Sequence, residues 1–161
     1  MDVGPGIMKK RLRLLGLALG VFLIASQFFP PRRNLGSRDG PNDVAARYAV
    51  PAEVKTLLVD ACYDCHSDHT NYPRYANVQP IGWWLADHVN GGKRHLNFTQ
   101  FGTYGPKQAA RKLDAIANQV DEGDMPLGSY TWMHPPARLS AAQRAKIVDW
   151  AQALHDQLDP Q

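Results

Sequence analysis

Two cysteines three residues apart, followed at once by a histidine, constrain this chain more than any other feature. Cys62, Cys65 and His66 lie in the segment CYDCHSDHT, and the 161-residue sequence contains no other cysteine. A disulfide between cysteines so close in sequence would close a very small loop and add little stability. The pair is therefore expected to react with, or to hold, another chemical group.

The distribution of charge excludes one large class of partners. The chain has 18 basic and 15 acidic side chains, and the surplus of basic residues comes from its first 30 residues. The remainder carries equal numbers of both signs, with no basic stripe interleaved with aromatic residues. A nucleic-acid-binding domain needs such a cationic surface. We therefore expect no nucleic-acid partner, and the length indicates one domain with an appendage.

The first 30 residues have the pattern of a membrane-targeting segment. Residues 14–29, LLGLALGVFLIASQFF, carry no charge, follow a basic cluster and are stopped by Pro30 and Pro31. With one basic side chain snorkelling, this run approaches the ~20 residues that cross a bilayer. We predict that residues 1–30 form an N-terminal transmembrane helix in a bacterial inner membrane, with the following domain in the periplasm. A cleaved signal peptide and a buried helix of a soluble protein are the alternatives.

Beyond this segment, the sequence predicts an all-α domain. Residues 31–43, PRRNLGSRDGPND, are rich in Pro, Gly and charge and predict a flexible linker, so the domain comprises residues 44–161. Pro51 suits the first turn of a helix whose apolar stripe leads into Cys62. That stripe consists of Val54, Leu57, Leu58 and Ala61.

Residues 70–105 combine irregular patterning with many of the aromatic residues of the chain. A short helix over residues 81–89, ended by Gly91 and Gly92, is predicted there. Long loops rich in aromatic side chains usually wrap a surface against which those rings are buried. We therefore expect this region to enclose a bound group.

Two amphipathic helices are predicted in the C-terminal third. One begins at Pro106 and ends at Gly123, and the other begins at Ser140, which forms a capping box with Gln143. Their apolar stripes are Leu113, Ile116, Ala117 and Val120 in the first helix and Ile147, Trp150, Ala151, Leu154 and Leu158 in the second. The intervening DMPLGSYTWMHPPARL predicts a loop. The predicted fold class is therefore all-α, with long loops.

A cysteine pair followed by a histidine is typical of covalent haem attachment. Two cysteines three residues apart on a helical turn match the two vinyl groups along one edge of a porphyrin, with which they form thioethers. His66 is then carried beneath the ring, where its imidazole binds the iron. We predict one covalently bound haem c, attached by Cys62 and Cys65, with His66 as the proximal iron ligand.

Three other uses of the cysteine pair fit the sequence less well. A thioredoxin-like redox pair would belong to a βαβ unit, whereas this one follows a predicted helix. A zinc site would need two further ligands; His66 and His69 could join Cys62 and Cys65, but ligands adjacent in sequence crowd a tetrahedral ion. A structural disulfide would contribute little. Export across a membrane favours haem, because c-type haem is attached on the outer side.

Met125 is the predicted second iron ligand. It stands in the loop GDMPLG between two helices and off their apolar stripes, where its thioether can reach the distal side of the haem. His88 is the alternative axial ligand, together with His134, and Met133 or an open position are further alternatives. A methionine ligand raises the reduction potential, and an iron with both axial positions filled only exchanges electrons.

The order of these parts resembles a class I cytochrome c. More specifically, CYDCHSDHTNYPRYANVQPIGWWLADHVNGGKRHLNF is similar to the bacterial haem-binding domain family of membrane-anchored mono-haem proteins. The matching positions are Cys62, Cys65, His66, Ser67, Thr70, Pro73, Tyr75, Pro80, Trp84, His88, Val89, Leu96, Asn97 and Phe98. The similarity continues through an MP pair and YTWMHPPARLSAAQRAKIVDW to Trp150.

The resemblance implies haem binding and a cytochrome c-like helical domain with long loops around one haem. Together with the predicted ligands, it leads us to expect an electron carrier rather than an enzyme, although a peroxidase-like activity stays open. Redox partner proteins of a respiratory chain are the expected partners, and the N-terminal helix is the expected membrane contact. A haem-based gas or redox sensor and a protein in which haem only stabilises a small core are the alternatives.

Overall fold

A computed structural model describes residues 5–159 and shows an all-helical chain. Within these residues there are eight α-helices and three short 3-10 helices, together with an isolated bridge between Leu35 and His69. The α-helices are α1 (Pro5–Ser26), α2 (Val44–Arg47), α3 (Ala52–Ala61), α4 (Tyr63–His66), α5 (Ile81–His95), α6 (Pro106–Asp121), α7 (Gly128–Met133) and α8 (Ala141–Leu158). The 3-10 helices are Arg74–Asn77, Phe98–Thr103 and Pro135–Ala137. The predicted all-α class is confirmed.

The described residues fall into two compact units. One contains the chain up to Arg33 together with Tyr72–Asp87, and therefore α1 and the first part of α5. The other contains Asn34–Asn71 and the chain from His88 onward. The cysteine motif, the predicted axial ligands and the main hydrophobic core all belong to this second unit.

The core of the second unit forms largely from α3, α6 and α8. Their apolar residues recur at spacings of three and four, so one face of each helix is buried. The capping box of Ser140 and Gln143 starts α8, and Gly123 follows α6 with a φ of 80°. The buried residues include Val54, Leu57, Leu58, Ala61, Leu113, Ile116, Ala117, Val120, Ile147, Trp150, Ala151 and Leu154. The predicted stripes of these three helices are confirmed, with Leu158 only partly buried.

Two predictions about the less regular regions are wrong. The helix predicted over residues 81–89 continues through both glycines, so α5 ends at His95. Glycine weakens a helix, but Gly92 is required inside α5 because it packs directly against the backbone of Cys65. The segment predicted as a loop between α6 and α8 contains α7 and the 3-10 helix Pro135–Ala137. No residue of α7 is buried, so its sequence lacks an apolar stripe that could be recognised.

The N-terminal helix differs from the predicted membrane span. α1 includes the whole basic cluster, and most of its apolar side chains are exposed. The longest uncharged stretch of this helix is residues 14–26, which is shorter than the ~20 residues needed to span a bilayer. Among the described residues, no helix combines the length and the apolar character that crossing a membrane requires. The predicted N-terminal transmembrane helix is therefore not supported.

The residues that follow α1 make hydrogen bonds to other residues of the first unit. The side-chain amide of Gln27 makes two hydrogen bonds with the backbone of Gln79, both at 3.0 Å. It donates to the carbonyl oxygen of Gln79 and accepts from the backbone N–H of the same residue. The indole nitrogen of Trp83 donates to the carbonyl oxygen of Phe29 at 2.7 Å. These bonds hold the residues after α1 against the start of α5.

The second part of the predicted linker makes specific contacts with the segment that follows the cysteine motif. The carbonyl oxygen of Asn34 accepts from the amide of Thr70 at 3.0 Å, and the amide of Gly36 donates to the carbonyl oxygen of Asp68 at 2.7 Å. Asp43 is buried and caps the N-terminus of α2. This stretch therefore belongs structurally to the unit that contains the motif.

Candidate functional site

The cysteine motif lies at the junction of two helices. α3 ends at Ala61, and Cys62 is both its C-cap and the N-cap of the single turn α4. The amides of Cys65 and His66 both donate to the carbonyl oxygen of Cys62, at 3.1 and 2.9 Å. Both cysteines and the histidine therefore share one helical turn, which is the arrangement that CxxCH haem attachment requires.

Both thiols are free and half-buried. Burial raises the pKa of the Cys62 thiol to about 12, and Cys65 adds to the increase. Burial also raises the pKa of the Cys65 thiol to about 11, with a further contribution from Asp64. A reactive redox cysteine has a depressed pKa instead. The pair therefore lacks the electrostatic setting of a thioredoxin-like site.

His66 is oriented by backbone carbonyl groups. Its Nδ1 lies 3.0 Å from the carbonyl oxygen of Gly92 and 3.2 Å from that of Leu96. Because a carbonyl oxygen only accepts, Nδ1 carries the proton, and Nε2 of the neutral ring has the lone pair that binds a metal. Burial lowers the pKa of His66, which favours this neutral form. Hydrogen bonds of this kind orient metal-binding histidines in general.

Gly92 allows α5 to approach the motif closely. A Cβ atom at this position would lie 2.7 Å from the carbonyl oxygen of Cys65 and 3.3 Å from its Cβ. The first distance is too short for non-bonded atoms, so only glycine fits without a shift of the backbone. At the neighbouring Gly91, an added Cβ would meet only the end of the Arg94 side chain, at 3.8 Å. Of the two glycines, Gly92 is therefore the one that approaches the motif closely, and its carbonyl oxygen also lies 3.0 Å from Nδ1 of His66.

Tyr63, the first residue between the cysteines, anchors the motif in the core. It is fully buried and its ring stacks on Phe98, with the ring centroids 5.1 Å apart. Its hydroxyl donates to Oδ2 of Asp43 at 2.9 Å. Burial, and then the charge of Asp43, raise the pKa of Tyr63, so the hydroxyl remains a donor.

Asp64, the second residue between the cysteines, makes a second set of hydrogen bonds from the motif to the rest of the unit. Its Oδ1 accepts from the amide of Asn71 at 3.0 Å and lies 3.5 Å from the guanidinium of Arg38. Its Oδ2 accepts from the hydroxyl of Tyr130 at 2.8 Å. Burial, and then Asp64, raise the pKa of Tyr130. α7 is thereby connected to the attachment motif.

Asp68 fixes the segment that follows His66. Its carboxylate accepts from Asn97 at 2.8 Å and from Gln100 at 2.7 Å, and it lies 3.0 Å from the Lys93 ammonium group. Burial acts to raise the pKa of Asp68, but these bonds and the lysine charge outweigh it and lower the pKa. The segment that directly follows the cysteine turn is therefore also fixed, by the contacts of Asp68.

The predicted axial ligands lie in different parts of the second unit. Met125 is half-buried in the loop between α6 and α7, and its amide donates to the carbonyl oxygen of Gln119 at 3.0 Å. His88 is half-buried on α5, one turn before Gly92. Met133 lies at the end of α7 with 46% of its surface exposed.

His134 is connected to the motif through Tyr130. The two rings stack with their centroids 4.1 Å apart, and Nδ1 of His134 lies 3.0 Å from the carbonyl oxygen of Tyr130. Tyr130 in turn contacts Asp64. A chain of direct contacts therefore leads from His134 through Tyr130 to the motif.

The arrangement of possible ligands favours haem over zinc. In the part of the chain that the structure describes, no group of three or more His, Cys, Asp or Glu side chains is placed to hold a metal ion. His69 instead has its Nδ1 3.0 Å from the carbonyl oxygen of Gly36. A haem needs only one protein nitrogen on its proximal side. His66, with its oriented ring, fits that need, and Cys62 and Cys65 are positioned beside it.

These features define an all-α haem-binding domain. The haem-binding domain family matches residues 21–153, and the chain belongs to this family. The matched region includes the cysteine motif and the predicted axial ligands. Comparisons with curated proteins and with solved structures gave no match.

Several residues around the motif were not recognised from the sequence as part of the site. Gly92 has a recognisable signal, because a glycine inside a helical pattern often marks close packing. Asp43 and Tyr130 have no such signal in the sequence, since their partners Tyr63 and Asp64 lie 20 and 66 residues away. Contacts of this range depend on how the helices pack.

Proposed function

We propose that this protein is a c-type cytochrome that carries single electrons. Cys62 and Cys65 would form the two thioether links to one haem, and His66 would bind its iron through Nε2. The orientation of His66 is the main support for this proposal. His66 lies on the same helical turn as both cysteines, and its Nδ1 faces the backbone carbonyl oxygens of Gly92 and Leu96. A cysteine pair with protonated, half-buried thiols next to such a histidine suits haem attachment better than redox catalysis.

Met125 is the proposed distal ligand. It is half-buried in the loop after α6, its backbone amide donates to the carbonyl oxygen of Gln119, and it is not among the residues of the hydrophobic core. A haem with histidine and methionine ligands supplies one-electron redox chemistry, and the methionine raises its potential. The polypeptide holds the two ligands, limits the access of water and sets the potential through its hydrogen bonds.

The proposed location is the extracytoplasmic side of a bacterial membrane, with redox proteins of a respiratory chain as partners. A basic flank followed by an apolar run is the pattern of an export segment. Haem of the c type is attached outside the cytoplasm, which agrees with export. A fusion of alkaline phosphatase to the C-terminus tests this: phosphatase activity in intact cells is expected, and its absence would place the domain in the cytoplasm.

Covalent attachment is tested on the denatured protein. After extraction with acidified organic solvent, the haem of the wild-type protein should remain with the polypeptide. Cys65→Ser should prevent stable attachment, because it removes one of the two thioethers. The variant Thr131→Val, altered on α7 away from the cysteines, should keep its haem. Complete loss of colour from the wild-type polypeptide would contradict the proposal.

Carbon monoxide separates the electron carrier from the haem-based sensor. An iron with two protein ligands should respond slowly or not at all when the gas is added to the reduced protein at neutral pH. A rapid shift of the Soret band would show an open distal position, which is the property of a gas sensor, and would contradict Met125 as a firm ligand.

A further inference from the structure

We infer that Tyr130 is a positioning residue for the haem site, because its hydroxyl bond to Asp64 holds the segment after Met125 against the attachment motif. This inference rests on the proposed function, in which Met125 supplies the distal ligand. It assigns a role to a residue that contacts neither the cysteines' sulfur atoms nor the iron, but fixes the loop that carries one of the ligands.

The first step is that apolar packing does not hold α7. None of its six residues is buried, and Trp132 and Met133 are 75% and 46% exposed. A helix this short is not stable by itself. Its position therefore depends on the few polar contacts that it makes with the rest of the unit.

The second step is that one of these contacts reaches the motif directly. Tyr130 donates to Oδ2 of Asp64 at 2.8 Å, across 66 residues of sequence. The other side-chain polar contacts of α7 with residues outside it come from His134, which directly follows the helix and whose Nδ1 lies 3.0 Å from the carbonyl oxygen of Tyr130, and from Arg138, which donates to the carbonyl oxygens of Thr131 and Trp132 at 2.8 and 3.2 Å. Arg138 follows α7 closely in the chain, so its bonds do not tie the helix to the motif. The hydrogen bond from the Tyr130 hydroxyl to Asp64 does tie the helix to the motif.

The third step is that the acceptor is itself fixed. Asp64 lies between the two cysteines, and its other carboxylate oxygen accepts from the Asn71 amide at 3.0 Å and faces Arg38 at 3.5 Å. A hydrogen bond to a charged and immobilised acceptor is stronger than one between neutral groups. The phenol therefore binds to a rigid point of the motif rather than to a mobile surface carboxylate.

The fourth step concerns Met125. The loop from Met125 to Tyr130 is held at its beginning by the bond to Gln119 and at its end by the bond to Asp64. With the second bond removed, the loop keeps its connection to α6 and its contacts with His134 and Arg138, but it loses the hydrogen bond that ties it to the motif. The methionine thioether would then leave the iron more often, and an external ligand would gain access.

The test compares Tyr130→Phe with Thr131→Val in the haem-containing protein. Thr131 lies on the same helix, and its hydroxyl bonds only within the turn, to the carbonyl oxygen of Gly128 at 3.1 Å. For Tyr130→Phe we expect amide hydrogen exchange in residues 125–133 to become about tenfold faster. We also expect carbon monoxide to bind the reduced protein about tenfold faster, whereas Thr131→Val should match the wild type.

A third variant, Asp64→Asn, keeps an oxygen that can accept from the phenol. It should lie between the wild type and Tyr130→Phe in both measurements. Unchanged exchange in Tyr130→Phe would overturn the inference, and so would faster exchange without faster carbon monoxide binding, because α7 would then be held without effect on the iron.

Failure of the proposed function would be visible separately. It would appear as extractable haem in the wild-type protein, before any substitution is made. The exchange measurement would still decide whether the bond between Tyr130 and Asp64 fixes the loop.

Discussion

The hydroxyl of Tyr63 donates to Oδ2 of Asp43 at 2.9 Å, and both side chains are buried. Tyr63 lies between the two cysteines, and Asp43 lies at the end of the segment predicted as a linker. The bond therefore joins the CxxCH motif to the N-terminus of α2, which Asp43 also caps. A residue at a position that the CxxCH pattern leaves unspecified is thus a structural anchor of the motif.

Removing this hydroxyl should destabilise the protein. Tyr63→Phe keeps the stacking on Phe98 but leaves the buried carboxylate of Asp43 without its phenol donor. Loss of one partner of a buried, charged hydrogen bond typically costs about 1–3 kcal/mol. Denaturant unfolding of the haem-containing protein measures the change. Tyr48→Phe, at a tyrosine whose ring packs edge-on against Phe101, is the matched control and should change little.

The two adjacent glycines of α5 should respond to alanine in opposite directions. Gly92→Ala would place a Cβ 2.7 Å from the carbonyl oxygen of Cys65, and overpacking of this kind costs about 1–3 kcal/mol. Gly91→Ala meets only the end of a flexible arginine side chain and should stabilise the helix by about 0.5–1 kcal/mol. Thermal unfolding of the two variants checks this. A destabilised Gly91→Ala together with a stable Gly92→Ala would show that α5 does not approach the motif in this way.

The parts of the fold that the sequence predicts well are those in which the signal is local. α3, α6 and α8 each bury a stripe of residues spaced three and four apart, and Ser140 with Gln143 marks where α8 begins. The CxxCH segment is likewise a local pattern, and the structure places it on one helical turn.

The parts that the sequence predicts poorly depend on tertiary packing. α5 passes through Gly91 and Gly92 because the cost of glycine in a helix is offset by the close approach to Cys65. α7 buries no residue, and its hydrogen bond to the motif comes from Tyr130, whose partner Asp64 is 66 residues away in the sequence. Neither the partner of Tyr130 nor that of Tyr63 can be inferred from neighbouring residues.

The segment that connects α1 to α2 should resist proteolysis more than its composition indicates. The Asn34 side chain donates to the carbonyl oxygen of Ser67 and to the hydroxyl of Thr70, both at 2.9 Å, and accepts from Lys93. Asn34→Ala removes all three bonds and should accelerate tryptic cleavage after Arg38, by about tenfold if local opening controls the rate. Ser37→Ala, which removes an exposed bond within the segment, is the control. Equal cleavage rates in the wild type and Asn34→Ala would show that the segment is a free linker.

The identity of the distal ligand can be decided by substitution of two methionines. If Met125 is the ligand as proposed, Met125→Ala should abolish the thioether-to-iron charge-transfer band of the oxidised protein, lower the midpoint potential and accelerate carbon monoxide binding, because a methionine ligand favours ferrous iron and would occupy the position that carbon monoxide takes. Met133→Ala removes a thioether that is 46% exposed at the end of α7 and should leave the spectrum unchanged. Persistence of the band in Met125→Ala would contradict the assignment. A wild-type spectrum without the band would instead point to His88 or His134, and the alanine variant of the true ligand would then bind carbon monoxide rapidly.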